Sequence, residues 1–191
     1  APRGRGKSAA LGLILSGTVD LGYSNIFVTA PSPENLQSLF EFTQKGLEAL
    51  GYRENADFVI NTDQEKVVHQ IIITKHNKQV IQYIKPNHSE YLGQCELLAI
   101  DEAAAIPLPT VKQLLGPYPI LFSSTVDGYE GTGRALSLKL FDEFRRSPNV
   151  DFVEIGMKSP IRYASGDPIE KWLHDLLCLE VPLPDPSSFP P

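Results

Sequence analysis

The chain has 191 residues, 42% hydrophobic and 21% charged, which is the composition of an ordinary globular domain with a sizeable core. A formal net charge of -6 argues against a dedicated nucleic-acid-binding domain, although it leaves room for a local basic strip. The sequence holds no run of roughly 18 apolar residues and no signal-peptide pattern at its start, so no membrane partner is expected.

In chain order, Ser8 to Leu21 is apolar, small-residue-rich and free of proline, so it reads as a helix. Asn25 to Thr29 is a β-branched and aromatic run, a buried strand. Ser32 and Pro33 supply an N-cap and a first-turn proline. Leu36, Leu39, Phe40, Leu47 and Leu50 then recur at helical spacing until Gly51 stops the helix. Phe58 to Asn61, Val67 to Lys75 and Gln79 to Ile84 read as strands, the last two joined by a hairpin turn at His76, Asn77 and Lys78. Glu96 to Ile100 is an apolar strand, Pro107 to Leu115 a short helix and Ile120 to Ser124 a buried strand. The spacing predicts a helix over Thr132 to Arg146, a strand over Phe152 to Met157 and a last helix over Pro168 to Leu177. In that last helix Ile169, Trp172, Leu173, Leu176 and Leu177 share one face, which is expected to pack into the core. The segment from Pro182 to Pro191 holds five prolines and no apolar period, so it is a linker or tail. Residues 1–181 therefore form one α/β domain, a mostly parallel sheet sandwiched by helices.

In such sheets ligands sit at the carboxyl ends of strands, and the chemical residues fall there. Gly4, Arg5, Gly6, Lys7 and Ser8 open the first helix. Phosphate binding needs backbone N–H groups turned inward, hence glycines, and a helix N-terminus whose free N–H groups and dipole favour anions. Lys7 would reach the terminal phosphates and Ser8 would join a magnesium shell. The full pattern asks for glycine where this chain has Ala1, and no strand precedes the loop. The chain is therefore expected to be a segment of a longer polypeptide, with the leading strand upstream.

Leu97 to Ile100 deliver Asp101 and Glu102 to the end of a buried strand. An N-capping Asp after a strand is the plain alternative, and the phosphate loop decides against it. Asp101 would hold Mg2+, directly or through water, and Glu102 would polarise an attacking water as general base. Together these parts specify phosphoryl transfer from ATP to water by a P-loop NTPase. Ser123, Ser124 and Thr125 follow the next strand, either capping its end or coupling nucleotide state to motion elsewhere.

Cys95 and Cys178 lie far apart in apolar company and read as buried, reduced thiols of an intracellular protein. His69, His76, His88 and His174 show no ligand spacing. Arg145 and Arg146 read as a solvated helix end favoured by the dipole, with RNA contact as the alternative.

Several long blocks resemble the helicase-like module of RNA cytidine acetyltransferases of the eukaryotic nucleolar type. They are Gly4 to Gly12, Gly22 to Thr29, Pro31 to Leu36, Asp101 to Pro109 and Gly128 to Arg134, with Ile161-Arg162-Tyr163-Ala164, Gly166-Asp167 and Glu170 to Leu173 near the end. The resemblance spans essentially the whole chain. It departs between Arg146 and Phe152, where many eukaryotic relatives carry a longer insertion. It implies an ATPase module working in a protein that uses ATP and acetyl-CoA to form N4-acetylcytidine in small-subunit rRNA and in tRNA. It further implies a nuclear, nucleolar location and partners among ribosome-precursor proteins or a tRNA adaptor. The acetyl-CoA site would lie outside this segment. Within it, Arg3 to Ser8 would bind ATP phosphates and Arg162 would contact the nucleotide from the far end of the domain. On its residues alone Arg162 reads as a surface side chain. Two rival functions use the same motifs, a nucleotide-gated assembly module in ribosome biogenesis and an RNA helicase or translocase lobe. The last would need a second motor lobe, for which the chain is too short.

Overall fold

The computed structural model describes residues 4–125, 140–147, 150–161, 164, 167–169, 172 and 176. Helix α1 (Lys7–Asp20) begins after Gly6, whose φ of 75° is left-handed. Strand β1 (Asn25–Thr29) follows it. A 3-10 turn (Pro33–Leu36) then leads into α2 (Gln37–Ala49). Next come β2 (Phe58–Thr62), β3 (Val68–Ile73) and β4 (Gln79–Tyr83), then a 3-10 segment, Ser89–Gln94, that lacks any apolar period to announce it. Strand β5 (Leu97–Ile100), helix α3 (Leu108–Gln113), strand β6 (Ile120–Phe122) and helix α4 (Asp142–Arg146) complete the described elements.

The strands form one sheet in the order β2-β3-β4-β1-β5-β6. β1 pairs in parallel with both β4 and β5, and β5 with β6. β3 pairs antiparallel with both β2 and β4, so it alone among the described strands runs against the rest. The mostly parallel sheet therefore holds, with the hairpin confined to one side of it. Crossover helices place α1 and α2 on one face and α3 and α4 on the other. Alternate residues of β1 serve the two faces: Ile26 and Val28 meet the α1–α2 side, while Phe27 meets the other. Burial on both faces explains why β1 and β5 are continuous apolar runs.

α1 is apolar around most of its circumference, yet it buries one stripe, Leu11, Leu15 and Val19 at four-residue spacing. Gly12 and Ser16 sit beside that stripe and let α2 approach closely. A Cβ at Gly12 would lie 2.3 Å from the Leu39 carbonyl oxygen and 2.9 Å from the Thr43 nitrogen. On α2, a Cβ at Gly46 would fall 2.1 Å from Ser16 Oγ. The C-terminal end of α1 is tied to the sheet by buried Gln79, whose Nε2 donates to Val19 O at 2.7 Å and Tyr23 O at 2.8 Å. Phe58, Leu15, Ile26, Leu47, Ile71 and Ile81 are among the fully buried side chains of this core. Each contributes about 1.5–3 kcal/mol by leaving water.

Several expectations change. Ser32 has the extended geometry of an N-cap but makes no capping bond, because its hydroxyl turns to Asn35 Oδ1 at 2.5 Å. Leu50 ends the α2 stripe exposed rather than buried. Residues 152–157 form no strand. Val153 and Ile155 are exposed there, and no described ladder receives them; β-branched residues make a strand only when a neighbouring edge pairs with them. Phe152 instead packs on Phe141 and Phe144. Of the helix expected over Thr132 to Arg146, the described part is helical, and residues 126–139 lie outside the described residues. The stripe expected to pack into the core is exposed at Ile169 (57%), Trp172 (59%) and Leu176 (60%). No described element covers it, and Leu173 and Leu177 lie outside the described residues. Cys95 is a free thiol but only half-buried, and Cys178 lies outside the described residues. Arg145 is engaged by Asp142 and Glu154, which supports the solvated helix end over an RNA contact. Among the described residues no helix is long and apolar enough to cross a membrane.

Candidate functional site

A cleft of about 480 Å³ opens at the carboxyl ends of β1, β5 and β6. That is within the usual size of a small-molecule site. Its floor is the glycine loop: Gly4, Arg5, Gly6, Lys7, Ser8 and Ala9 all line it. Gly4 and Gly6 both take positive φ, 71° and 75°, which brings the chain around in a tight turn that other residues adopt only with strain. The turn is braced from outside. Ile161 N–H donates to Gly4 O at 2.9 Å, and a Cβ at Gly6 would lie 2.6 Å from Ile161 Cδ1. Ala10 N–H closes the first helical bond onto Gly6 O at 2.9 Å. The first-turn amides before it have no acceptor within the helix, and the helix dipole adds partial positive charge at that end. Lys7 adds a full one. Loop, helix end and lysine together form an anion cradle at the mouth of α1.

The opposite wall is acidic. Asp101, 3% exposed, stands at the end of β5, where its N–H continues the ladder by donating to Thr29 O at 2.9 Å. Its Oδ1 accepts the Glu102 N–H at 3.0 Å. Glu102 follows in the left-handed region, φ 50° and ψ 42°. A non-glycine residue held there carries strain of about 1 kcal/mol or more, a conformation that concentrates at functional sites. Ala103 N–H pins the turn by donating to Ser123 O at 2.9 Å, which ties the end of β5 to the end of β6. Ser123 itself is buried, and its Oγ meets no hydrogen-bond partner among the described residues. An orphaned hydroxyl lining a cleft is a ready donor to a bound anion.

The structure thus brings Gly4, Arg5, Gly6, Lys7, Ser8, Asp101 and Glu102 to one cleft, although up to 98 positions separate them along the chain. Arg3 and Arg162 lie outside the described residues. Thr125 also lines the cleft, while Ser124 does not. The sequence reading missed Asn35, Ser38 and Phe42 as cleft residues. Their positions i, i+3 and i+7 mark one face along the 3-10 turn and α2. That spacing was the available signal. Asn35 reaches across from the β1 end, and its Nδ2 donates to Glu102 Oε2 at 3.0 Å.

The donors present suit magnesium. One carboxylate (Asp101) and one hydroxyl (Ser8), beside a phosphate cradle, match an ion that keeps several waters and binds mainly through one or two protein oxygens. Among the described residues no cluster of His, Cys, Asp and Glu offers a protein-only metal cage.

A sequence profile described as RNA cytidine acetyltransferase NAT10/TcmA, helicase domain, matches residues 1–180. The chain belongs to the RNA cytidine acetyltransferase family. Its relatives include RNA cytidine acetyltransferase 2 of Arabidopsis thaliana, 55% identical over 100% of the chain. The RNA cytidine acetyltransferases of Saccharomyces cerevisiae and Homo sapiens are each 50% identical, over 96% and 94% of the chain. The chain spans 20% of the length of each of these relatives, the part that corresponds to the helicase domain. Among solved structures, the large terminase of a thermophilic bacteriophage in complex with ADP matches with a TM-score of 0.58 at 13% identity. That match covers 91% of this chain and 42% of the terminase. The ATPase domain of a Thermus phage large terminase matches with a TM-score of 0.51, also at 13% identity, covering 95% and 81%. These likenesses show the fold alone, the α/β architecture of a mostly parallel sheet with helices on both faces.

Proposed function

We propose that this domain binds and hydrolyses ATP to drive RNA cytidine acetylation by the protein to which it belongs. The observation that carries the reading is the convergence of Lys7, Ser8, Asp101 and Glu102 on one cleft above a left-handed glycine turn. The β- and γ-phosphates lie in the cradle of first-turn amides, with Lys7 neutralising their charge. Ser8 and Asp101 would hold Mg2+, which would supply further neutralisation of the phosphate charge. Glu102 accepts a proton from the water that attacks the γ-phosphorus as the bond to the departing ADP breaks, a role supported by its place in the same cleft as the glycine loop. Ser123 donates its otherwise unsatisfied hydroxyl to the phosphoryl oxygens. For Arg162, outside the described residues, a nucleotide contact rests on the family resemblance alone. The acetyl transfer itself, from acetyl-CoA to cytidine N4 in small-subunit rRNA and tRNA, belongs to parts of the protein beyond this domain. With such substrates the protein works in the nucleolus, beside ribosome-precursor proteins or a tRNA adaptor.

The test is ATP binding and turnover by the full-length protein, with and without RNA. Lys7→Ala is expected to weaken ATP binding tenfold or more, about 1.4 kcal/mol. Glu102→Gln is expected to keep ATP binding and to lose about 10²–10⁴-fold in turnover. Acetylation should fall with turnover in both variants. Glu102→Gln protein that acetylates RNA at the normal rate would show that hydrolysis serves assembly and not acetylation.

A further inference from the structure

Asn35 is joined to the acidic wall of the cleft by a short chain of hydrogen bonds that the reaction described above does not use. Its Nδ2 donates to Glu102 Oε2 at 3.0 Å, and its Oδ1 accepts the Ser32 hydroxyl at 2.5 Å. The local structure makes this possible. Pro33 opens a 3-10 turn, and in that geometry side chains three apart eclipse one another, so Ser32 and Asn35 stand on the same side. The β1–β5 pairing then sets the ends of the two strands next to each other, with Thr29 opposite Ile100, which brings the turn within reach of Glu102. The chemistry fixes the amide's orientation. A hydroxyl donor on one side and a carboxylate acceptor on the other leave a single assignment of O and N that satisfies both.

We propose that Asn35 is the positioning residue for Glu102, holding one carboxylate oxygen so that the other is presented to the attacking water. This rests on the ATPase reading given above. Glu102 needs such a contact. Its backbone is fixed in a strained left-handed conformation, its N–H by Asp101 and the following residue by Ser123, but its side chain extends into an open cleft. Without a partner the carboxylate would sample several rotamers, and few of them align with the cradle. The Asn35 amide supplies a hydrogen bond to one oxygen of this carboxylate. The carboxylate, which only accepts, keeps the amide nitrogen turned toward it, and the Ser32 hydroxyl donates to the amide oxygen on the other side.

The experiment is a double-mutant cycle on single-turnover ATP hydrolysis by the full-length protein, with ATP affinity measured in parallel. Asn35→Ala should lower the hydrolysis rate by about 10- to 100-fold and leave ATP affinity unchanged. Asn35→Asp keeps the shape and the Ser32 contact but sets two carboxylates together, so it should be slower than Asn35→Ala. In the Glu102→Gln background, Asn35→Ala should produce no further loss, because the group it positions is gone. A structural role would instead lower affinity and add to the Glu102→Gln defect. An unchanged or faster Asn35→Ala enzyme, an Asn35→Asp enzyme as fast as wild type, or additive losses would overturn the proposal while Glu102-dependent hydrolysis stands. Wild-type hydrolysis that survives Glu102→Gln undiminished would overturn the ATPase reading and this proposal together.

Discussion

A methyl group added at Gly12 tests the packing that holds the phosphate loop. Gly12 and Gly17 lie on the same helix, and alanine favours a helix over glycine by about 1 kcal/mol at both. The tertiary surroundings differ. Around Gly17 nothing stands within 4 Å of a built Cβ, so Gly17→Ala should stabilise by about 0.5–1 kcal/mol. At Gly12 the Cβ would meet the Leu39 carbonyl oxygen at 2.3 Å and the Thr43 nitrogen at 2.9 Å. Both are backbone atoms of α2, so relief requires moving the helix and not a rotamer. A clash with backbone atoms falls in the upper part of the overpacking range, about 2–3 kcal/mol, so that after the helix gain of about 1 kcal/mol a net loss of about 1–2 kcal/mol remains. For a domain of this size each kcal/mol shifts Tm by about 2–4 °C. Thermal unfolding of the 191-residue chain should therefore show Gly12→Ala melting about 2–8 °C below wild type, with Gly17→Ala at or above it. The displacement also reaches the cleft, because α1 carries Lys7 and Ser8 while α2 carries Ser38 and Phe42. ATP affinity should fall with Gly12→Ala and not with Gly17→Ala. Equal stability of the two variants would refute the close α1–α2 crossing.

Gly6→Ala combines a φ of 75° with a Cβ contact of 2.6 Å to Ile161 Cδ1, so calorimetric ATP binding should weaken at least tenfold. The same substitution with Ile161→Ala should recover only part of it, because the backbone strain remains. Gln79→Met removes the buried donor to the Val19 and Tyr23 carbonyls, of which Val19 O keeps the Gly22 N–H at 3.0 Å, and urea unfolding should show a loss of about 1–3 kcal/mol. The Cys95 thiol is pushed up to about 11, chiefly by burial. At pH 8 about one molecule in a thousand then carries the thiolate, so alkylation followed by peptide mass should lag an unfolded control by about 100-fold. The sign for stability follows. The unfolded thiol loses its proton first, so this group's contribution is present below the ordinary thiol range and declines as pH rises toward 11.

Much of the site was legible because phosphate chemistry demands local patterns. A glycine turn, a lysine and a hydroxyl at the start of a helix are adjacent in sequence, and two carboxylates end an apolar run. Spacing marks only the face that Asn35 shares with Ser38 and Phe42, and its contact with Glu102 was not legible. Its partner lies 67 positions away, and only the parallel pairing of β1 with β5 makes them neighbours. The stripe through Ile169, Trp172 and Leu176 shows the limit of periodicity. Helical spacing identifies a common face, but a face becomes core only when another element covers it.

The sequence by itself determined the alternation of strands and helices, the glycine turn before α1 and the acidic strand end, because hydrophobic period and backbone freedom act over a few residues. The tertiary structure decided which strand ends adjoin and how closely α1 approaches α2. It alone set Asp101 and Glu102 across from Lys7 and placed Asn35 on Glu102, since those distances follow from sheet order and interhelical packing, which no local pattern encodes.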